Sequence, residues 1–226
     1  MSTIILADRA ERTAERLESI EAHLDAITIR QLEAVGVAPG WSCLDLGRGS
    51  GSTARWLAEH VGPNGRVVVT DVDASGLADE HPNVEVKPRA LAACAFGPGA
   101  FALTRERLVL PAHGRRYRSL YEMIDALEPG GWVLLEHVGP DSVPPVPIGT
   151  PAGATLHVNV RGGFHELVQQ ARAGLAYGRR YQSILGDAGL LDINVEVHFK
   201  IAPDGGAARY SDFSPLICAR ARRASP

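Results

Sequence analysis

The stretch LDLGRGSG, residues 44–51, lies between two segments of different character. The apolar run at residues 41–46 is typical of a buried strand, and residues 52–60 (STARWLAEH) form a helical pattern. Glycines between a strand and a helix permit a tight turn and let a ligand approach the backbone closely. The first N–H groups of the helix point at such a ligand. The sequence therefore predicts a ligand-binding loop here.

The spacing of acids and glycines indicates which ligand the loop takes. Asp71 ends the next predicted strand, residues 66–70, where an acid can accept the two hydroxyls of a ribose. A dinucleotide-binding loop is the main alternative, but its fingerprint places a glycine or alanine three residues after the second glycine. This chain has Ser52 there and its third glycine at Gly51. Asp45 is also foreign to that fingerprint and suits a cationic amino-acid group, so the pattern favours S-adenosylmethionine (SAM) over a nicotinamide cofactor or an empty glycine turn.

Strands and helices alternate on both sides of this loop, which predicts a parallel sheet with helices on both faces. Apolar residues at helical spacing predict a first helix over residues 9–35. The remaining predicted strands are residues 84–86, 100–104 (or as far as 110), 132–136, 193–201 and 214–219. The remaining predicted helices are residues 116–127, 164–175 and 180–188. The last two strands are expected to pair antiparallel.

Length and composition predict a single domain spanning residues 1–226. We expect residues 1–38 to form an N-terminal helical extension, and residues 140–190, which begin proline-rich, to form a lid inserted within the domain. A net charge of −3 argues against nucleic acid as a partner. No apolar run approaches the roughly 20 residues that span a bilayer. Three cysteines without paired spacing predict neither a disulfide framework nor a zinc site, and they fit a reducing cytoplasm.

Three segments resemble class I SAM-dependent methyltransferases of the small-molecule type. Residues 43–73 (CLDLGRGSGSTARWLAEHVGPNGRVVVTDVD) are similar to their first two motifs. Residues 126–136 (ALEPGGWVLLE) resemble the later Pro-Gly-Gly turn and fifth strand, and residues 177–192 (YGRRYQSILGDAGLLD) resemble the helix-turn of actinobacterial-type members. The resemblance implies an α/β, Rossmann-like, seven-stranded, mostly parallel sheet with an antiparallel C-terminal hairpin and a helical lid.

The resemblance also implies which residues hold SAM. Asp45 and the loop backbone would take the methionine part, Asp71 the ribose, and Val72 the adenine. Asp73 would be a second polar contact, and backbone groups of Ala90 and Leu91 could still read the adenine. The loop positions concerned are Gly47, Arg48, Gly49, Ser50 and Gly51.

The chain departs from the family pattern at the wall opposite the loop. Ala90 stands where an Asp usually bonds the adenine amino group, and Ala102 replaces the Asp that usually begins the fourth strand. Ala112 stands where relatives carry a His, with His113 one residue later. A neutral hydrogen bond contributes about 0.5–1.5 kcal/mol, so losing one need not abolish binding. Losing several fits either a rebuilt pocket or a fold retained for another task.

Methyl transfer needs the protein chiefly to align the substrate, and the protein can also supply a base. His137, directly after the fifth strand, is the leading candidate, and His113 is the second. A hydrogen-bonded structural role is the alternative for His137, and for His113 the alternative is that its one-residue offset turns it away from the site. Glu136 either acts beside His137 or simply ends its strand. Arg105 and Arg107 either lie at the surface or bind an anionic group of the substrate, and the sequence does not decide between these roles. The histidines of the predicted lid lack the spacing of a metal-binding pair on one helix, so no metal is expected.

The first functional hypothesis is a cytoplasmic SAM-dependent methyltransferase that methylates a small molecule, a secondary metabolite, by in-line displacement. The second is a methyltransferase-like protein that binds SAM but catalyses a cyclisation or rearrangement. The third is a non-catalytic partner subunit, suggested by the amphipathic first helix. The partners expected are a small-molecule substrate, with a homodimer left open.

Overall fold

A computed structural model describes residues 10–47, 49–70, 81–87, 96–110, 116–138, 178–198 and 216–225. Within these ranges the chain forms four α-helices and seven strands. The helices are α1 (Ala10–Val35), α2 (Ser52–Val61), α3 (Arg116–Asp125) and α4 (Tyr181–Asp187), the last preceded by a short 3₁₀ turn at Gly178–Arg180. The strands are β1 (Ser42–Leu46), β2 (Arg66–Thr70), β3 (Val84–Lys87), β4 (Phe101–Arg107), β5 (Leu127–Val138), β6 (Leu191–His198) and β7 (Leu216–Arg222).

The strands form one sheet in the order β3-β2-β1-β4-β5-β7-β6. The first five are parallel, whereas β7 runs antiparallel to both β5 and β6. This confirms the predicted seven-stranded, mostly parallel sheet and its antiparallel C-terminal hairpin. The direction of the strand order reverses between β1 and β4, and sheets of this type bind ligands outside the carboxyl ends of the strands at such a point.

The fifth strand begins earlier than the sequence predicts, at Leu127 rather than at residue 132. The Pro-Gly-Gly turn therefore lies inside a strand instead of only ending a helix, and α3 ends at Asp125. Two pairings cause this. Leu127 pairs with Phe101 before a register shift, and backbone bonds join Gly130 and Gly131 to Arg223 after β7. The helix predicted over residues 164–175 lies outside the described residues.

Two apolar layers cover the sheet. Side chains of α2 and the end of α1 pack on one face, around Leu32, Leu57 and Val67. Side chains of α3 and α4 pack on the other face, around Leu120, Met123 and Tyr181. The alternation of side chains along each strand sends neighbouring residues to opposite layers, so consecutive residues of β4 and β5 serve different faces of the site.

Helix α1 docks on the sheet through polar side chains as well as apolar ones. Thr28 Oγ1 donates to Glu136 Oε1 at 2.8 Å, and both groups are buried. Gln31 donates to Glu196 Oε2 at 3.0 Å and accepts a hydrogen bond from Arg220. An isolated ion pair at a surface contributes little. The buried hydrogen bond between Thr28 and Glu136 must be satisfied in one arrangement, so it fixes the position of α1 on the sheet. No helix in the described ranges has the length and apolar character needed to cross a membrane.

Candidate functional site

The glycine loop leaves the carboxyl end of β1 in left-handed backbone conformations. Gly47 has φ +85°, Gly49 +57° and Gly51 +92°. Side chains strain the backbone at such angles, which explains why glycine recurs at every second position. The loop is tied to the sheet because Gly47 N donates to Thr70 O, at the end of β2, at 2.9 Å. Helix α2 follows directly, so its N-terminus opens at the switch between β1 and β4.

Side chains of this same chain pack against two of those glycines. A Cβ atom on Gly47 would overlap a methyl group of Val109, which follows β4. A Cβ atom on Gly49 would lie 2.7 Å from the carboxylate oxygen Oε1 of Glu21, on α1. The glycines thus let Val109 and Glu21 approach the loop backbone closely. The sequence alone predicts that a ligand makes this close approach.

Glu21 makes the most direct contact with the loop. Its Oε1 accepts a hydrogen bond from the backbone N of Ser50 at 2.7 Å, and its Oε2 accepts one from the Ser50 hydroxyl. Arg107, at the end of β4, lies 3.9 Å from the same carboxylate and donates to Asp25 Oδ1 at 2.7 Å. The Glu21 and Arg107 side chains are each 8% exposed. The loop is therefore covered by a charged contact layer supplied by α1 and β4.

A second charged group lies below this layer, within the sheet. Arg105 of β4 is the Cα partner of Asp45 in the register of β1 with β4. Its Nη1 donates to Asp45 Oδ1 at 2.6 Å, and its Nη2 donates to Glu136 Oε2 at 3.4 Å. All three side chains are buried, with exposures of 2% for Arg105 and 0% for both acids. The acid in the glycine motif thus has an internal cation as its partner.

The charge on Arg105 is maintained by these acids. Burial lowers the pKa of its guanidinium, but Asp45 and Glu136 more than offset that effect and hold the pKa above its ordinary value. One guanidinium thus faces two carboxylates. The buried cluster therefore carries more acid than base, which favours a cationic neighbour.

Several buried polar atoms at this end of the sheet have no hydrogen-bond partner among the described residues. Three of them, Asp45 Oδ2, Ser52 Oγ and Thr70 Oγ1, lie at the end of β1, the start of α2 and the end of β2. A buried polar atom without a partner costs about 1–3 kcal/mol. These atoms frame the glycine loop and are suited to a polar ligand. The carboxylate of Asp45, with its unpartnered Oδ2, suits the cationic ammonium group of SAM and opposes a pyrophosphate, so the residues present fit SAM.

The other face of β4 carries a separate buried acid, Glu106. Its Oε2 accepts hydrogen bonds from the backbone N of Val109 at 3.0 Å and of Leu110 at 3.1 Å. Its Oε1 accepts a hydrogen bond from the Tyr181 hydroxyl of α4 at 3.1 Å. Burial raises the pKa of Glu106 to about 7 although these hydrogen bonds oppose the rise. Glu106 therefore shapes the turn after β4 that delivers Val109 to the glycine loop.

His137, the leading candidate for a base, lies on the face of β5 opposite to Glu136. It is 5% exposed and is the Cα partner of Ile217 in β7. A Cβ atom on Gly178 would lie 2.9 Å from His137 Cδ2, so the imidazole packs tightly against the 3₁₀ turn before α4. The structure therefore separates His137 from Asp45, which faces the α1 layer. A catalytic role for His137 stays a prediction.

The described residues bring together Asp45, Gly47, Gly49, Ser50 and Gly51 of the predicted site. The other predicted positions, Arg48, Asp71, Val72, Asp73, Ala90, Leu91 and His113, lie outside the described residues. Glu21 and Glu106 were missed by the sequence reasoning. An acid on a helix of mixed charge gives no local signal, whereas the run Arg105, Glu106, Arg107 inside a buried strand is a signal that could have been followed.

The cysteines and potential metal ligands add no further centre to the part described. Cys43 and Cys218 are free and buried. Burial raises the pKa of the Cys43 thiol to about 12 and that of Cys218 above its usual range. No group of three His, Cys, Asp or Glu residues in the described ranges could hold a metal ion.

Comparison with known proteins finds similarity in structure. No family model and no curated protein matches the sequence. A SAM-dependent methyltransferase from Aquifex aeolicus is 15% identical, with TM-score 0.57, over 92% of this chain and 97% of that one. A methyltransferase solved with the Haloferax volcanii Trm112 methyltransferase activator is 16% identical, with TM-score 0.67, over 97% of both chains. Phosphoethanolamine N-methyltransferase 2 from Haemonchus contortus, in complex with SAM, is 18% identical, with TM-score 0.64, over 96% of this chain and 59% of that one.

At these identities the likeness concerns the fold. The chain has the Rossmann-like fold of SAM-dependent methyltransferases, with the seven-stranded sheet and the reversed final hairpin that the resemblance in sequence implies. The glycine loop lies at the switch point of that fold.

Proposed function

We propose that this protein is a SAM-dependent methyltransferase that methylates a small molecule, a secondary metabolite, in the cytoplasm. The observation that carries the proposal is the glycine loop at the β1–β4 switch point, beside the buried carboxylate of Asp45. The three buried polar atoms that frame the loop support a polar ligand there. The methyltransferases with the same fold support SAM as that ligand.

Each part of the site has a separate task in this proposal. Asp45 supplies a buried carboxylate oxygen for the cationic amino-acid end, and the backbone of Gly47, Arg48, Gly49, Ser50 and Gly51 receives the methionine part. Asp71 accepts the ribose hydroxyls, Val72 packs on the adenine, and Asp73 adds a polar contact. Backbone groups of Ala90 and Leu91 read the adenine edge.

SAM supplies an electrophilic methyl group on a sulfonium, which is already a good leaving group. The protein therefore has mainly to align the acceptor for in-line displacement and to exclude water. His137 and His113 are proposed as the groups that accept a proton from the acceptor. Residues 140–190 are proposed to roof the acceptor, and assembly as a homodimer is compatible with this arrangement.

Calorimetric titration with SAM and with its demethylated product, S-adenosylhomocysteine (SAH), tests the proposal. Asp71→Ala should weaken SAH binding by about tenfold or more, the effect expected for a charged hydrogen-bond acceptor. Asp187→Ala, an exposed acid at the end of α4, is the matched control and should leave binding unchanged. Absence of binding by the wild-type chain and by Glu21→Ala, which removes the acid of α1 that bonds Ser50, would refute the proposal. Binding without mass gain on any acceptor would favour a cyclisation or rearrangement instead.

A further inference from the structure

The contact between α1 and the glycine loop carries an inference about how ligand binding is controlled. Glu21 is the acid of α1 that bonds the loop directly, through the backbone N and the hydroxyl of Ser50. A backbone N–H in such a loop is the kind of donor that an anionic ligand group takes. The carboxylate of Glu21 therefore occupies a donor that the carboxylate of an amino-acid ligand would need.

The surrounding residues hold Glu21 in place. Its Oε1 lies 2.7 Å from the position of a Cβ on Gly49, so the carboxylate fills the space that the absence of a side chain leaves open. Arg107 lies 3.9 Å from the same oxygen and donates to Asp25 and to Thr28, at 2.7 Å and 3.1 Å. Three residues of α1, one turn apart from each other, are thus gathered around one guanidinium.

We propose that Glu21 is an intramolecular competitor for the carboxylate of the ligand, which makes α1 a latch over the glycine loop. The inference rests on the proposed function, because it takes SAM and SAH as the ligands of that loop. The ligand displaces the Glu21 carboxylate from Ser50, and α1 shifts or turns its side chain to permit this. The latch lowers the affinity for ligands that carry an amino-acid carboxylate, and it does not act on ligands that lack one.

The test compares two ligands and three proteins by calorimetry. SAH carries the amino-acid carboxylate, and 5′-methylthioadenosine has the same nucleoside without it. Glu21→Ala removes the competing group, and Glu33→Ala removes one exposed acid from the same helix without touching the loop. We expect Glu21→Ala to bind SAH about tenfold more tightly than the wild type, the effect of one charge-assisted hydrogen bond. We expect it to bind 5′-methylthioadenosine unchanged, and Glu33→Ala to match the wild type for both ligands.

Each of the other results overturns the inference. Weaker SAH binding by Glu21→Ala means that Glu21 holds the ammonium group of the ligand instead of competing with its carboxylate. Equal SAH binding by Glu21→Ala and the wild type means that the contact has no effect on affinity. An equal gain in affinity for both ligands means that the substitution opens the loop to any ligand and does not remove a competitor for the carboxylate. If Glu21→Ala does not fold, as judged by circular dichroism, the isosteric Glu21→Gln is used with the same expectations and a smaller change.

The result also separates this inference from the proposed function. SAH binding that is equal in the wild type and in Glu21→Ala refutes the latch and leaves the methyltransferase proposal standing. No binding of SAH or 5′-methylthioadenosine by any of the three proteins refutes the methyltransferase proposal, and the latch falls with it. Binding by Glu21→Ala alone supports both.

Discussion

Replacing Arg105 with methionine tests the buried cluster that lies under the glycine loop. Methionine has a similar length and no charge, so the change leaves the carboxylates of Asp45 and Glu136 buried without a cation. Removing one partner of a buried ion pair destabilises a protein by about 3–5 kcal/mol. A domain of this kind is stable by only about 5–15 kcal/mol, so Arg105→Met should lose a large share of its free energy of unfolding.

The loss should depend on pH. Burial raises the pKa of Asp45, and Arg105 is the largest opposing influence. Without Arg105 the pKa of Asp45 in the folded state rises further above its unfolded value. A carboxyl whose pKa is raised in the folded state binds a proton more tightly there than in the unfolded chain. Its contribution to the free energy of unfolding is therefore present at low pH and is lost as the pH rises through the folded pKa. The destabilisation by Arg105→Met should therefore be smaller at about pH 5.5 than at about pH 7.5.

Urea unfolding followed by circular dichroism measures the effect at both pH values. Arg118→Met, which breaks an exposed ion pair with Glu122, is the matched control and should change stability by less than about 1 kcal/mol. Neutralising both acids in the Arg105→Met background, as Asp45→Asn and Glu136→Gln, should restore most of the lost stability. An Arg105→Met variant as stable as the wild type at both pH values would refute the reasoning.

Three further predictions concern other parts of the site. The pKa of Glu106 is about 7 in the folded protein against an ordinary value of 4.5. The free energy of unfolding should therefore fall by about 3 kcal/mol as the pH rises from the ordinary value to the folded one. Urea titrations of Glu106→Gln should lack this decline. Gly47→Ala should destabilise the protein by about 1–3 kcal/mol more than Gly36→Ala. The two glycines have similar φ values, but a Cβ atom would meet a side chain only at Gly47. Equal decreases in melting temperature for the two variants would contradict the packing described. Cys43 and Cys218 should resist thiol reagents in the native protein and react on unfolding, and mass spectrometry of labelled peptides would detect early modification of either.

The fold could be predicted because its determinants are local. The strand β2 has the predicted bounds, and α2 starts at the predicted Ser52, since a glycine turn and an apolar run mark both. The start of β5 could not be predicted in the same way. Leu127 is in a strand because it pairs with Phe101, and neither residue carries a local sign of that pairing.

The candidate site was predictable only in its backbone. The spacing of Gly47, Gly49 and Gly51 indicates a turn that side chains would strain, and the structure has that turn. The partners of the loop come from distant segments. Ser50 meets Glu21 because α1 crosses beside the loop, and Asp45 meets Arg105 because of the register between β1 and β4. Neither the crossing nor the register can be calculated from spacing along the chain.

The position of β7 between β5 and β6 has a consequence for the order in which the chain assembles. In the described part of the chain β6 pairs with β7 alone, although it precedes β7 in the sequence. During synthesis β6 therefore emerges before the strand that joins it to the sheet. The pairing of β7 with β5 joins segments that are distant in the sequence, which slows folding, and until β7 is made β6 is an unpaired strand available to other chains. The emergence of β7 thus sets the moment at which β6 can join the sheet, of which it then forms one edge.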